Sequence, residues 1–198
     1  MAKVFSSIDD SLTRWIAQQA MFFVGTAPLS ADGHVNVSPK GPIGSLAVTG
    51  PHQVAYLDIV GSGAETAAHI IENGRIVIMF CSFAKRPRIV RLHGQGRVVW
   101  AEDRAFGPLL DRFELPSPAV ADLRRAIIVV DVERVSDSCG YGVPRMAFES
   151  DRDNAERWAQ GLVRGGDHGL TRYKATKNTA SLDGLPAWSA PQPEQPSR

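Results

Sequence analysis

The segment VAYLDIVGSGAETAAHIIENG, at residues 54–74, decides the fold of this sequence. It begins with a run of strand-forming residues, continues through a glycine-rich turn and ends at Gly74, the residue type that commonly terminates a helix. The segment therefore predicts a strand, a turn at residues 61–63 and one short helix over residues 64–73. Glycine-rich turns that open helices often bind phosphate, which makes this turn the first candidate site.

The flanking segments predict a mainly antiparallel sheet. Four short strand-like stretches precede the helix, and the Gly- and Pro-containing links between them are too short for parallel crossovers. Further apolar stretches follow at residues 75–83, 88–101 and 126–135. So many strands are expected to curl into a barrel. The predicted fold is therefore mainly β in the α+β class, with peripheral helices at residues 8–19, 102–113 and 151–163.

The length of 198 residues suits a single domain, which we expect to span residues 1–186. The end of the chain, residues 187–198, is rich in Pro and is expected to be a disordered tail. The formal net charge of +1 and the hydrophobic share of 43% favour neither nucleic acid nor a membrane surface as a partner.

The sequence also predicts a cytoplasmic location. No apolar run approaches the roughly 20 residues that span a bilayer, and residues 1–15 lack the apolar centre of a signal peptide. Cys81 and Cys139 lie far apart without CxxC spacing, which suits reduced thiols. The histidines show no HExxH-like spacing, so no metal site is predicted.

Gly61 and Gly63 match a dinucleotide-binding fingerprint only in part. Thr66 stands where the third glycine belongs, and no carboxylate follows at the position that binds ribose. Two interpretations remain open on local sequence. The turn is either a phosphate site that uses the hydroxyls of Ser62 and Thr66 with the helix N–H groups, or a plain turn capped by Ser62 or Glu65.

A longer succession of motifs supports the phosphate interpretation. Lys40 closes NVSPK, Tyr56 lies in VAYLD, and GSGAET, ENGR, IVIMF and RIVRLHG follow in that order through Gly94. This order, over residues 22–99, resembles the pyridoxamine 5′-phosphate oxidase-like family of FMN-binding split barrels. The resemblance implies an antiparallel split β-barrel of about six strands, a homodimer with FMN at the subunit interface, and a small-molecule substrate.

The resemblance also implies which residues hold the FMN. Lys40, with the backbone around Ser38 and Pro39, would face the isoalloxazine ring. The phosphate would lie at the start of the helix beside a fixed cation from a later strand. Its predicted ligands are Ser62, Gly63, Thr66, and Arg88 or Arg91.

Three departures from the family pattern bear on function. The phosphate loop reads SGAET instead of carrying the family's Ser-Arg-Lys, and Ile89 replaces a glutamine that contacts the flavin. The C-terminal motif that grips pyridoxamine phosphate is not visible, so oxidation of that compound is not expected. SCGYG at residues 138–142 and KNTAS at residues 177–181 stand in its place and are predicted to supply a second wall of the flavin site. Their candidate residues are Cys139, Tyr141, Lys177 and Asn178.

Two functions remain open. The first, which we favour, is an FMN-dependent oxidoreductase in which the cofactor exchanges a hydride with an unidentified small molecule. The second is a non-catalytic carrier or sensor that binds a flavin, a deazaflavin or haem, with His69 as a conceivable haem ligand. No residue pattern names a catalytic acid or base.

Overall fold

The computed structural model describes residues 3–42, 44–113, 123–164 and 169–189. Within these ranges the chain forms eight strands and five helices. The strands are β1 (Lys3–Phe5), β2 (Phe22–Thr26), β3 (Asn36–Lys40), β4 (Leu46–Gly50), β5 (Gln53–Ile59), β6 (Arg75–Cys81), β7 (Ile89–Trp100) and β8 (Arg124–Ser138). The helices are α1 (Asp10–Ala17), α2 (Glu65–Asn73), α3 (Phe106–Leu110), α4 (Asn154–Arg164) and α5 (Gly169–Lys177).

The strands form one antiparallel sheet in the order β3-β2-β6-β7-β8-β5-β4, and β1 pairs with the end of β8. Phe22 of β2 and Tyr56 of β5 are separated by three intervening strands in this order, yet their ring centroids lie 5.4 Å apart. The sheet therefore curls on itself, and its edge strands β3 and β4 do not pair with each other. This arrangement confirms the predicted antiparallel split β-barrel. The short strand β1 is an element that the sequence did not predict.

Alternate residues of the strands fill the barrel interior. Val54 and Tyr56 of β5 point inward and are fully buried, as is Ile78 of β6. The residues that alternate with them on β5, Ala55 and Leu57, belong to a second apolar cluster that includes Phe106 of α3. Both faces of β5 are thus covered, which explains why its sequence is apolar almost throughout. Full burial of each such large side chain stabilises the fold by roughly 1.5–3 kcal/mol.

The ends of α1 and α2 follow from local chemistry. The carboxylate of Asp9 accepts a hydrogen bond from the N–H of Leu12 at 2.7 Å and so caps α1. Gly74 ends α2 with φ at 73°, a left-handed conformation that favours glycine. The helix α2 begins at Glu65, one residue later than predicted.

Two other helices differ from the prediction. The helix expected over residues 102–113 is reduced to α3, which contains the poor helix formers Gly107 and Pro108. The helix α5 was not expected, because GLTRYKATK carries no apolar stripe at helical spacing.

The folded part of the chain extends beyond the predicted boundary at residue 186. The N–H groups of Ala187 and Trp188 donate to the carbonyl oxygens of Thr179 and Asn178, and Trp188 is buried. Residues 190–198, the rest of the predicted tail, lie outside the described residues. In the described part of the chain, no helix is both long enough and apolar enough to cross a membrane.

Candidate functional site

One face of β3 lies against the start of α2. Because strand side chains alternate, Asn36, Ser38 and Lys40 share this face. The amide of Asn36 donates to the hydroxyl oxygens of Thr66 at 3.0 Å and Thr26 at 3.1 Å. The hydroxyl of Ser38 donates to the amide oxygen of Asn36 at 2.9 Å. A polar row on β3 is thereby joined to the first turn of α2.

A buried carboxylate connects the end of β3 to the loop at residues 60–64, which we call the glycine loop. Asp58 of β5 accepts from Lys40 at 2.9 Å and from the guanidinium of Arg125 at 2.8 and 2.7 Å. Another nitrogen of Arg125 donates to the carbonyl oxygen of Gly63 at 2.8 Å. Burial raises the pKa of Asp58, but the two cations outweigh it and hold that pKa below its usual value. Asp58 is therefore ionised and fixes both cations in place.

The C-terminal segment holds the glycine loop from the other side. Asn178 is fully buried, and its amide donates to the carbonyl oxygen of Gly61 at 3.0 Å. The N–H of Leu182 donates to the carboxylate of Glu65 at 3.2 Å. These contacts lie within one chain, so the loop has a defined position before any ligand binds.

The start of α2 offers several hydrogen-bond donors. The N-cap residue Ala64 supplies no side-chain acceptor to the first N–H groups of the helix. Ser62 is exposed, and the Thr66 hydroxyl accepts from Asn36, which leaves its own proton free to donate. A Cβ atom added to Gly63 would collide with the carboxylate of Glu65, so any other residue at this position would displace that carboxylate. The donor set suits an anion with several oxygen atoms.

A largely apolar cleft of about 530 Å³ opens beside Lys40 at the end of β3. Its walls come from the residues just before β2, the end of β5 and the segment that leads into α4. The residues that matter most are Met21, Lys40, Ile59, Phe148 and Ala155. A volume of this size suits a small organic molecule with a planar ring.

Comparison with known proteins decides the family. The family model described as pyridoxamine 5′-phosphate oxidase matches residues 8–139. The pyridoxamine 5′-phosphate oxidase family protein ustO of Aspergillus flavus is 39% identical over 195 residues, which cover 92% of this chain and 76% of that protein. This chain belongs to the pyridoxamine 5′-phosphate oxidase family.

Solved structures are also similar to this family member. A FAD-binding protein from Mesorhizobium loti is 11% identical with a TM-score of 0.47, covering 69% of this chain and 96% of that one. A FMN-binding protein from Syntrophomonas wolfei is 15% identical with a TM-score of 0.46, covering 62% of this chain and 79% of that one. The fold assignment given above depends on the strand order of this chain itself.

The structure brings some of the predicted residues of this family member together and leaves others apart. Ser38, Lys40, Gly63 and Thr66 converge where β3 meets α2. Ser62 belongs to the same loop, and Asn178 binds that loop within its own chain. Full burial removes Asn178 from the residues available to a second subunit. It is a support of the loop instead of part of a second wall.

Arg88 and Arg91 do not bind the glycine loop of their own chain. Arg88 pairs with Asp137 at 3.2 Å and lies 4.9 Å from the ring centroid of Trp15. Arg91 donates to the hydroxyl of Ser138 at 3.2 Å. Within a single chain Arg125 contacts the glycine loop instead, and the role of Arg88 or Arg91 as the cation beside the phosphate stays a prediction. A contact from a partner subunit stays a prediction.

The other predicted residues are exposed in a single chain. Tyr141 projects into solvent, and Cys139 and Lys177 are also exposed. Pro39 lies on the opposite face of β3 from Ser38 and Lys40. Gly140 has φ at 68° and packs against the backbone of Arg88. A role for these exposed side chains in a second wall stays a prediction.

The alternative of haem bound through His69 does not fit the structure. His69 is fully buried, and its Nδ1 lies 3.0 Å from the hydroxyl of Thr26. Burial lowers the pKa of His69, which favours the neutral ring. The Nε2 atom of His69 is buried, so a haem iron could not reach it in this conformation. Throughout the described ranges, no three His, Cys, Asp or Glu side chains are grouped so that they could hold a metal ion.

Asp58, Arg125 and Asn36 are the site residues that sequence reasoning missed. Asp58 interrupts an otherwise apolar strand, and Arg125 opens the long apolar stretch of β8. A charged residue in a strand buried on both faces signals a partner, because an unpaired buried charge is very costly. Asn36 begins the motif NVSPK, from which the sequence prediction includes Ser38, Pro39 and Lys40 but not Asn36.

Proposed function

We propose that this protein is an FMN-dependent oxidoreductase that acts on a small molecule. The observation that carries the proposal is the continuity of the glycine loop, the polar face of β3 and the cleft beside Lys40. Asn36 and Lys40 are four residues apart on a strand, a span of roughly 13 Å. That length suits a mononucleotide with its phosphate at one end and its ring at the other.

The residues at the start of α2 fit the phosphate. Ser62, Thr66 and the first N–H groups of the helix would donate to its oxygens, aided by the positive end of the helix dipole. Arg125, bound to the loop carbonyl of Gly63, adds the fixed positive charge that a dianion requires. Glu65 opposes this charge in part, and the Leu182 N–H binds its carboxylate.

The cleft beside Lys40 fits the ring. Ile59 and Phe148 supply apolar walls, and the Lys40 ammonium, fixed by Asp58, would donate to a ring carbonyl oxygen. When bound, the flavin ring supplies the hydride chemistry. The chain itself binds the cofactor, orients it and excludes water. The missing pyridoxamine-phosphate motif supports a different substrate.

A homodimer is part of the proposal, with a second copy completing the flavin site. β3 is an edge strand that pairs with β2 on one side and has no strand on the other side among the described residues. Its outer face exposes Val37 and Pro39, and Val35 lies just before it. Exposed apolar edge strands are ready to pair with another chain. A twofold contact brings the same strip of both subunits together.

Replacing Val37 with Lys is expected to weaken the dimer at least about tenfold, because charge and desolvation oppose contact between edge strands. Sedimentation velocity over a range of protein concentrations measures the effect. Val4→Lys is the matched control, because Val4 is also an exposed strand valine but lies on β1. Equal sedimentation of wild type and Val37→Lys would contradict this interface.

A cytoplasmic location is also part of the proposal. Cys81 and Cys139 are both free thiols, and Cys139 is exposed. An exposed free thiol suits a reducing compartment.

The visible spectrum of the purified protein tests the cofactor. We expect flavin absorption that persists through gel filtration, with FMN released by denaturation in one copy per chain. A deazaflavin or haem spectrum would contradict the FMN proposal, as would failure of the apoprotein to bind added FMN. If no small molecule reoxidises the reduced flavin faster than O₂ alone does, the result would favour a non-catalytic carrier.

A further inference from the structure

A second cleft, of about 780 Å³, lies outside the cofactor site. Its walls come from the end of α1, from the loop between β6 and β7, and from the segment at residues 146–148. The main apolar groups are Trp15, Met21, Phe83, Met146 and Phe148. Three of these are aromatic, and aromatic walls favour a ligand with a ring. The volume lies within the range of small-molecule sites.

This cleft adjoins the one beside Lys40. Ala20, Met21 and Phe148 line both clefts. A molecule in the larger cleft can therefore extend past Met21 and Phe148 towards Lys40. The larger cleft is separate from the glycine loop, none of whose residues line it.

The far end of the cleft is positively charged. Lys85 and Arg86 line it, and Arg145 lines a smaller adjoining hollow that also includes Lys85. Among the residues that the structure describes, none of these three cations has an acidic partner. Arg88, two positions along from Arg86, is by contrast paired with Asp137. The unpaired charges are available to a ligand.

We propose that this cleft binds the substrate and that the substrate is a largely apolar, ring-containing organic anion. Its apolar body lies between Trp15, Phe83 and Phe148, and its acidic group lies at Lys85 and Arg86. The apolar body leads towards Lys40, where the cofactor ring is proposed. The role of this anion as the substrate rests on the proposed function, whereas its binding in the cleft does not.

Calorimetric titration with 2-naphthoate and its neutral analogue 2-naphthamide tests the proposal on the full-length protein as purified. We expect one naphthoate site per chain and clearly weaker binding of naphthamide. Lys85→Gln with Arg86→Gln is expected to weaken naphthoate about tenfold at low salt and to leave naphthamide unchanged, because charge-assisted hydrogen bonds are lost. Arg97→Gln with Arg134→Gln, two exposed strand cations elsewhere, is the matched control for net charge.

Phe148→Ser separates the apolar contribution from the charge. Phe148 is 54% exposed, so the substitution is expected to leave the fold intact and to weaken both naphthalene compounds. Equal binding of naphthoate and naphthamide, or equal losses in the two double variants, would overturn the proposal. FMN titration of wild type and the two double variants is an independent measurement, because none of the residues changed in them lines the cleft beside Lys40. Naphthoate binding without FMN binding would refute only the proposed function, and FMN binding without naphthoate binding would refute only this inference.

Discussion

Replacing Asp58 with Asn is expected to lower the free energy of unfolding by about 3–5 kcal/mol, the usual cost of breaking a buried ion pair by removing one partner. Asp58 is 2% exposed and accepts hydrogen bonds from both Lys40 and Arg125. The amide keeps the size of the side chain but removes its charge and turns one acceptor into a donor that faces a cation. Arg125, itself buried, would then lack its counterion.

Urea unfolding followed by circular dichroism measures the loss. Asp131→Asn is the matched control, because Asp131 is exposed and its carboxylate accepts from the Gln53 amide alone among the described side chains. We expect the control to change the unfolding free energy by less than about 0.5 kcal/mol. A similarly small change for Asp58→Asn would mean that the buried cluster does not stabilise the fold.

The effect of Asp58→Asn is expected to depend on pH. Burial raises the pKa of Asp58, but Lys40 and Arg125 lower it by more, so the folded-state pKa lies below the unfolded value of about 3.9. A lowered pKa stabilises the fold above the unfolded value, and this stabilisation is lost as the pH falls through the folded value. The difference between wild type and Asp58→Asn should therefore stay constant above about pH 5 and shrink below about pH 4. A difference that persists undiminished at pH 3 would contradict the assignment.

The combined change of Ser62→Ala and Thr66→Val is expected to weaken FMN binding at least about tenfold. Hydrogen bonds to a charged group contribute on the order of 1.5–3 kcal/mol each, and about 1.4 kcal/mol corresponds to one decade of affinity. Thr66 also accepts from Asn36, so its loss leaves that amide with the Thr26 hydroxyl as its remaining acceptor. Quenching of flavin fluorescence on titration measures the affinity.

Riboflavin, which lacks the phosphate, separates this prediction from a general disturbance of the loop. It should bind weakly to wild type and respond little to the double substitution. A plain turn predicts instead a modest loss of stability and equal losses for the two flavins. Equal losses of affinity for FMN and riboflavin would mean that the glycine loop has a structural role only.

Local signals predicted the parts of the fold that local chemistry controls. Gly74 predicted the end of α2, because the residue that ends the helix adopts a left-handed conformation that favours glycine. The short links between strands predicted antiparallel pairing. The motif NVSPK placed Ser38 and Lys40 on one strand, and period-two alternation puts both on the same face. The convergence of these residues with Gly63 and Thr66 came from the family resemblance.

Long-range pairing could not be predicted in the same way. The contact between Asp58 and Arg125 depends on the register of β5 with β8, in which Asp58 lies opposite Ala126. A shift of that register by one residue would turn the side chains to the other face. Arg88 and Arg91 were favoured because they stand in a recognisable motif, whereas Arg125 stands in none. The helix α5 buries Lys174 against Glu102, a tertiary contact with no local signal.

The edge strands β3 and β4 lie at opposite ends of the sheet order but only a short link apart in the chain. From Lys40 to Leu46 the backbone makes six steps, which when fully extended reach at most roughly 20 Å. The length of this link therefore limits the distance between the end of β3 and the start of β4. Lys40 is the first residue of this link, and its ammonium donates to Asp58. The segment that limits the separation of the two edge strands therefore starts at a residue bound to the same buried carboxylate as Arg125.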